Sequence, residues 1–324
     1  MSTSPPACPI CGAADSRRWL ENSDFLFHTT SAVHTLNRCL TCRCAFLHPM
    51  PEPRAFADAY PRPYWWIARE RPRDLSLKLE TVYRETVLRH HVHVARRHLA
   101  GPAPKVLDVG CGSGTFLHVL RRVTGIVGEG LDVSPDAAQA AQATYGLRVH
   151  AGDIDTADLP EQSYDLITLF HVLEHLPRPG DALARVGRWL APGGTLLLQV
   201  PNLDSWQCHW FGRRWSGLDI PRHVVSFRPR ALADLLRRTG YEPGPPRFFS
   251  LRDNAAAIAT SLAPALDPVA MAVRGDNRLA LTRKVLYFSL LAAAQPLAVL
   301  EAMAGRGGTF FLPARRILNP RSHL

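Results

Sequence analysis

Short apolar runs alternate with amphipathic stretches through residues 101–250. The runs are rich in aliphatic and β-branched residues, as expected of buried strands, and read KVLDVG, IVGEGLDV, LRVHAGD, YDLITLF and GTLLLQV. The stretches between them, DAAQAAQATYG and DALARVGRWLAPGG, carry apolar residues among polar ones. Alternating strands and helices predict βαβ units, and therefore an α/β fold with a doubly wound, mostly parallel, Rossmann-like sheet. In such a sheet the ligand site lies at the carboxyl ends of the strands.

The flanking segments follow other patterns. Residues 1–50 contain paired cysteines and many turn residues, which predicts a small domain of their own. Residues 51–100 open with proline and aromatic residues and continue at helical spacing, which predicts a tether and a helical segment. Residues 101–324 make up the large α/β domain. Within it we expect an aromatic lid at 201–227 and an apolar helical insertion at about 254–304.

The apolar stretch VLYFSLLAAAQPLAVL (285–300) favours a buried or hairpin helix, since 16 residues with a proline fall short of a membrane span of about 20 residues. Peripheral membrane contact through 285–304 is the alternative, because Arg283, Lys284 and Arg306 flank the stretch. The segment GTFFLPARR (308–316) predicts a final strand that returns to the sheet.

Composition and charge indicate which classes of binding partner to expect. The net charge of +10 suits a nucleic-acid partner, but the basic residues are scattered and form no run of the kind that typically binds nucleic acid. The first residues, MSTSPPACPICG, lack the basic and apolar regions of a signal peptide, so we expect a cytoplasmic, reducing location.

The strongest motif is a glycine-rich loop after the first strand of the predicted sheet. Asp108 precedes Gly110, Gly112 and Gly114 in VLDVGCGSGTFL. Glycines suit a turn where backbone approaches a ligand closely. Asp132 ends the next strand, where a carboxylate can accept both hydroxyls of a ribose, and Asp153 ends the third.

In order and spacing, VLDVGCGSGTFL, LDVSP, AGDI and LAPGGTLLLQVPN resemble the landmarks of class I S-adenosylmethionine-dependent methyltransferases. The resemblance implies that Asp108 and the glycine loop hold the methionine end of the cofactor, Asp132 the ribose and Asp153 the adenine. Its full set of expected cofactor-binding residues is Asp108, Gly110, Gly112, Gly114, Asp132, Val133, Asp153, Ile154, Phe170 and His171.

The paired cysteines lie in CPICG and CLTCRC. Two C-x2-C knuckles close a tetrahedral Zn²⁺ site, which predicts a structural zinc ribbon held by Cys8, Cys11, Cys39 and Cys42. Cys44 is either spare or an alternative ligand. With the downstream tether, this head resembles zinc-ribbon methyltransferases associated with sugars, glycans and secondary metabolites, so the resemblance covers most of residues 1–250.

The predicted lid is unusually aromatic. Trp206, Trp210 and Trp215 suit closing a pocket and stacking on a ring or sugar face. Asp219–His223, D-x-P-R-H, resembles the lid motif of the family, with its histidine near the acceptor. His223 is therefore the candidate catalytic base, or else a residue that holds the lid by a hydrogen bond; the companion lid residues are Asp219 and Arg222.

The string FHVLEHL contains H-x-x-E-H, formed by His171, Glu174 and His175, which is also a zinc-peptidase pattern. No other part of the sequence supplies a peptidase scaffold. We expect these residues to form walls of a methyl-transfer pocket, with His171 nearest the cofactor and a second catalytic candidate beside His223. Some related methyltransferases use E-x-x-E-H and a later histidine to hold a divalent ion. Glu174 and His175, with His223, are therefore an alternative metal site, although His171 departs from that pattern.

Together these features predict methyl transfer to a small-molecule or glycan intermediate, at a hydroxyl group. An RNA methyltransferase with a zinc module is a second hypothesis. It is disfavoured because LFHVLEHL follows the fourth strand, where methyltransferases that act on base amines have an N-P-P-Y type motif. A non-catalytic assembly protein that binds S-adenosylmethionine is the third.

Overall fold

The computed structural model describes residues 7–60, 75–99, 101–276 and 280–317. The aromatic second part of the predicted tether, residues 61–74, lies outside them. The strands are β1 (Ser16–Asn22), β2 (His34–Cys39), β3 (Ala45–Leu47), β4 (Val106–Val109), β5 (Glu129–Asp132), β6 (Val149–Ala151), β7 (Tyr164–Phe170), β8 (Leu190–Pro201), β9 (Val225–Ser226), β10 (Tyr241–Pro243) and β11 (Thr309–Arg316). The α-helices are α1 (Pro53–Asp58), α2 (Leu75–Arg96), α3 (Thr115–Thr124), α4 (Pro135–Tyr145), α5 (Pro179–Trp189), α6 (Trp206–Phe211), α7 (Pro229–Arg238), α8 (Asp253–Leu262), α9 (Pro268–Val273) and α10 (Ala280–Met303).

The main sheet confirms the predicted α/β architecture. Its seven strands follow the order β10-β11-β8-β7-β4-β5-β6, and β4 to β8 are parallel. The run YDLITLF forms β7 over its whole length. β8 begins earlier than the predicted GTLLLQV, because helix α5 ends at Trp189 and Leu190 already pairs with Tyr164.

The last strand also agrees with its sequence pattern. β11 lies between β8 and β10 and runs antiparallel to both. Phe310, Phe311 and Leu312 are fully or almost fully buried, as expected where both faces of a strand are covered.

A second, four-stranded sheet joins the N-terminal region to the end of the predicted lid. Its order is β1-β2-β3-β9, and β9 lies about 180 residues after β3 in the chain. Ala45 pairs with Ser226 and Phe46 with Val225. The cysteine-rich head is therefore continuous with the segment that follows the D-x-P-R-H motif.

Arg222 joins the same regions through a buried ion cluster. Its guanidinium is completely buried and donates to both carboxylate oxygens of Asp24, to Asp219 and to the carbonyl of Ala59. The ring of Phe27 packs 4.5 Å from the guanidinium carbon. Burial alone would raise the pKa of Asp24, but Arg222 and Thr29 hold it below its ordinary value. We call Arg222, Asp24 and Asp219 the arginine clamp.

The apolar insertion packs as a helical layer beside the main sheet. Ala255, Ile258 and Ala259 of α8 pack against Tyr287 and Leu291 of α10. The predicted buried helix is thus present within α10, but one of its faces is exposed.

Glu301 ties α10 to the loops around it. Its Oε1 atom accepts from Gln207 Nε2 at 2.5 Å, from the Gly308 N–H at 3.1 Å and from Asn254 Nδ2 at 3.2 Å. The carboxyl is fully buried, and burial raises its pKa to about 7 despite these donors.

Replacing Asp24 with Asn should destabilise the fold by about 3 kcal/mol or more, because it leaves a buried guanidinium undercompensated. Urea unfolding measures the difference. Asp181→Asn is the matched control, since Asp181 pairs with Arg178 at the surface, where such a pair contributes less than about 1 kcal/mol. Equal unfolding midpoints for the two variants would contradict a structural role for the clamp.

Glu301 should make stability depend on pH. The folded chain keeps a proton that the unfolded chain loses near pH 4.5, so this stabilisation is present at low pH and is lost as pH rises through about 7. Between pH 5 and 8 the wild type should lose roughly 2–3 kcal/mol relative to Glu301→Gln, measured by urea unfolding. Parallel pH profiles for the two proteins would show that Glu301 ionises normally.

Candidate active site

Two cavities open at the carboxyl ends of β4, β5 and β7. The larger, of about 580 Å³, extends from the glycine-rich loop to α8, α9 and α10. The smaller, of about 380 Å³, lies between the ends of β4 to β6 and the first part of the tether. Gly110, His171 and His175 line both. The cavities therefore meet beside the glycine-rich loop, as the strand order predicts.

The glycine-rich loop has the backbone conformation that its sequence predicts. Gly110, Gly112 and Gly114 all have left-handed φ angles, between 52° and 73°. A Cβ atom at Gly110 would lie 2.5 Å from Val172 Cγ2, so the loop needs glycine there for space as well as for conformation. The loop thus keeps the junction of the two cavities open.

Asp132 supports this loop and faces the smaller cavity. Its Oδ2 atom accepts the N–H of Gly112 at 2.8 Å, and its Oδ1 atom accepts that of Ser134 at 2.9 Å. Each oxygen keeps a lone pair for a further donor. Burial raises the pKa of Asp132, although the two N–H donors oppose the shift. Val133, Asp153 and Ile154 line the same cavity, in which apolar walls predominate.

Asp108 occupies the larger cavity at the end of β4. It is almost fully buried, and Thr168 Oγ1 donates to its Oδ1 atom at 2.6 Å. Burial raises the pKa of Asp108 to about 7. A cationic ligand group beside this carboxyl would favour its charged form. Phe170 lines this cavity as well.

His171 lies at the junction of the cavities between two carboxylates. Its Nδ1 atom is 3.1 Å from Glu174 Oε1, and its Nε2 atom is 3.6 Å from Asp253 Oδ1. Its φ angle of 57° is uncommon for a residue other than glycine, as is typical of functional sites. Burial alone would lower the pKa of His171, but Asp253 and Glu174 raise it to about 9. The two carboxylates therefore favour the charged form of the ring.

Asp253 is a site residue that the sequence analysis missed. It begins α8 and accepts from Gln199 Nε2 at 2.8 Å and from Ser250 Oγ at 2.6 Å; the His91 ring lies 3.4 Å away. No motif marks Asp253 itself. The available signal was Gln199, a polar residue inside the apolar run LLLQV, because such a residue needs a buried partner.

Glu174, His175 and His223 lie close together, with a ligand atom from each within 4.8 Å of the others, and the two histidines line the larger cavity. The Nδ1 atom of His223 is 2.9 Å from the carbonyl of Gly217, so it carries the proton, and Nε2 faces Glu174 Oε1 at 3.8 Å. Burial lowers the pKa of His175 to about 4. Among the residues described, Glu174 Oε2 has no hydrogen-bond partner. This donor set fits the alternative divalent-ion site.

The tryptophans of the predicted lid do not line either cavity. Trp215 is completely buried, and its Nε1 donates to Gln207 Oε1, so its ring cannot stack on an acceptor. Trp206 and Trp210 pack against each other, with ring centroids 5.6 Å apart, and Trp210 is half exposed.

Smaller lid residues take the place of the tryptophans along the cavity. Ser216, Gly217, Asp219 and His223 line it. Arg222, the other companion lid residue, is completely buried in the arginine clamp and does not line the cavity.

The four predicted zinc ligands form a compact cluster. The Sγ atoms of Cys8 and Cys42 are 3.7 Å apart, and those of Cys11 and Cys39 are 3.5 Å apart. Sulfurs bound to one tetrahedral Zn²⁺ lie about 3.8 Å apart, so these distances fit the ion. Cys44 is outside the cluster of four, and its Sγ accepts the N–H of Arg228 at 3.3 Å.

Comparison with solved structures supports the fold. The [4+2]-cyclase SpnF has a TM-score of 0.50 and is 21% identical, with 72% of this chain and 81% of that chain covered. The similarity concerns the fold alone, and a cyclase on this fold shows that the fold does not determine the reaction.

Comparison with known sequences identifies the family. A protein of a Streptomyces fradiae transposon is 38% identical over 33% of this chain, and the trans-aconitate 2-methyltransferase of Methylobacterium nodulans is 36% identical over 38%. The chain spans only 32% and 48% of the length of these two relatives. The ubiquinone biosynthesis O-methyltransferase of Methylococcus capsulatus is 31% identical over 55% of this chain and 76% of its own length.

The model of a methyltransferase-domain family matches residues 79–243, which contain the glycine-rich loop, Asp132, His171 and the D-x-P-R-H motif. The match covers just over half of the chain and coincides with the sheet whose strand ends form both cavities. On this sequence match and this fold, the chain belongs to the class I S-adenosylmethionine-dependent methyltransferases.

Proposed function

We propose that the protein transfers a methyl group from S-adenosylmethionine to a small-molecule or glycan acceptor, at a hydroxyl group. The observation that carries the proposal is the meeting of two cavities at Gly110, His171 and His175. A two-substrate transfer needs two binding spaces that join at the reacting atoms. The O-methyltransferase and trans-aconitate methyltransferase among the relatives support the reaction class.

The smaller cavity suits the nucleoside part of the cofactor. Asp132 offers two buried carboxylate oxygens to a ribose, while Asp153 and Ile154 lie further along the same cavity, toward an adenine. Asp108 and the glycine-rich loop suit a charged amino-acid end in the larger cavity. When bound, the cofactor supplies an electrophilic methyl group.

The acceptor would occupy the remainder of the larger cavity, whose volume suits a small molecule or a sugar. His223 presents Nε2 to this space while Nδ1–H is held by the carbonyl of Gly217. A ring held in this tautomer can accept the proton that a hydroxyl loses on methylation. Asp253 and Glu174 raise the pKa of His171, so this ring suits holding the two carboxylates in place better than accepting the proton.

We also propose that the four-cysteine cluster holds a structural zinc ion. Four cysteines fill a tetrahedral site and leave no open position for catalysis. The cluster lies in the loops that flank β1 to β3, so the ion would stabilise the sheet that β9 completes.

The cofactor proposal is tested with S-adenosylhomocysteine and isothermal titration calorimetry. Asp132→Asn removes the charge from a buried hydrogen-bonding carboxylate and should weaken binding about 10- to 100-fold. Asp136→Asn, the same change on the exposed first turn of α4, should bind as the wild type does. Absence of binding to the wild type, or equal affinity in both variants, would contradict the proposal.

The zinc proposal is tested by metal analysis of the purified protein. The wild type should carry one zinc per chain, and Cys11→Ser should lose it together with thermal stability. Cys44→Ser and Cys208→Ala should retain the metal. A second bound divalent ion that disappears in Glu174→Gln would assign the site at Glu174, His175 and His223. Retention of zinc in Cys11→Ser would rule out the proposed ligand set.

A further inference from the structure

Helix α10 exposes an apolar face over most of its length. Its large hydrophobic residues with more than 40% exposure are Leu281, Val285, Leu286, Val299, Leu300 and Met303. Ser289, Ala292, Ala293 and Pro296 occupy the exposed positions between them. The helix has no charged residue between Lys284 and Glu301, and Glu301 is fully buried. The exposed face is therefore uncharged over about 25 Å. We call it the α10 face.

Such a face is unusual for a helix at a protein surface, whose outward side normally carries charged residues. Contiguous apolar patches that remain exposed typically mark an interaction site. Exposed apolar residues elsewhere in the described chain, such as Val33 and Val127, lie in separate loops. The α10 face therefore needs an occupant.

The opposite side of α10 is held in the domain. Tyr287, Leu291, Ala294 and Ala298 pack in the cluster with α8, and Glu301 accepts three hydrogen bonds from neighbouring segments. Residues 281–303 are long and apolar enough to cross a membrane by length and composition. Crossing would separate the helix from these partners, so the contacts favour a helix that lies on a surface.

Positive charges at both ends of the α10 face indicate which kind of surface it binds. Arg283, which is ion-paired with Asp276, and Lys284 lie at its start, so these three residues carry a net charge of +1 there; Arg306 lies just after its end. Two copies packed through this face would bring cations together whether the helices ran parallel or antiparallel. An anionic lipid surface complements both ends, and the overall charge of +10 acts in the same direction.

We propose that the protein docks on anionic lipid bilayers through the α10 face, with α10 lying in the plane of the interface and its apolar side chains among the lipids. This inference does not depend on methyl transfer. The α10 face and the candidate active site share one helix, because Tyr287 on the inner side of α10 lines the larger cavity.

Co-sedimentation with vesicles tests the proposal. The wild type should bind vesicles of phosphatidylcholine and phosphatidylglycerol at 3:1 at least 10-fold more strongly than vesicles of phosphatidylcholine alone, and high salt should reduce this preference. The variant Leu286→Gln/Leu300→Gln/Met303→Gln should bind at least 10-fold more weakly. The matched control, Val33→Gln/Val123→Gln/Val127→Gln, also replaces three exposed apolar residues with glutamine, but outside α10, and should bind as the wild type does.

Binding of S-adenosylhomocysteine and thermal unfolding check that the α10 variant remains folded. Failure of the wild type to bind anionic vesicles would overturn the docking proposal, as would unchanged binding by a folded α10 variant. Dimerisation that the α10 substitutions abolish, without vesicle binding, would identify a second copy as the occupant instead. Loss of cofactor binding in all proteins with vesicle binding intact would contradict only the proposed reaction.

Discussion

The buried guanidinium of Arg222 joins three parts of the chain that are far apart in sequence. It binds Asp24 in the N-terminal region, the carbonyl of Ala59 at the end of α1, and Asp219 in its own loop. A buried charge is stable only when oppositely charged groups and hydrogen-bond acceptors surround it. Each of these three segments must therefore be folded in place for the guanidinium to be compensated. The cavity wall depends on the same condition, because His223 follows Arg222 directly.

The parts of the fold that sequence reasoning predicted well are those determined locally. The strand YDLITLF is mainly apolar, and Leu166, Ile167 and Leu169 are completely buried, because both faces of the central sheet are covered. The glycine-rich loop was predictable because its left-handed backbone and the space beside Val172 admit little but glycine at Gly110. The four-cysteine cluster was predictable for a similar reason, since each C-x2-C pair positions two sulfurs within one turn.

Contacts between distant segments were not predictable from the sequence. Nothing near Asp253 shows that a helix beginning there places its carboxylate beside His171. The tryptophan-rich lid illustrates the same difficulty. Trp215 was expected to close the pocket and stack on a ring or sugar face, yet it is completely buried. Arg222, a predicted lid residue, is also completely buried, where it holds the loop through Asp24 and Asp219. The residue types predicted a loop that covers the pocket, but only the packing in the structure shows which of its side chains face the cavity.

The N-terminal region is therefore best understood as part of the active-site wall and not as an appendage. Strand β3 continues from the cysteine cluster and pairs with β9, and β9 begins two residues after His223. On the other side of that histidine, Arg222 is fixed by Asp24, and its carbonyl contacts His175 Nδ1 at 3.0 Å. The backbone around the candidate base is thus held on both sides by residues that precede the methyltransferase sheet. The methyltransferase fold without the N-terminal region would still supply the cavity proposed for the cofactor. The backbone around His223 would then lack the contacts that hold it on both sides.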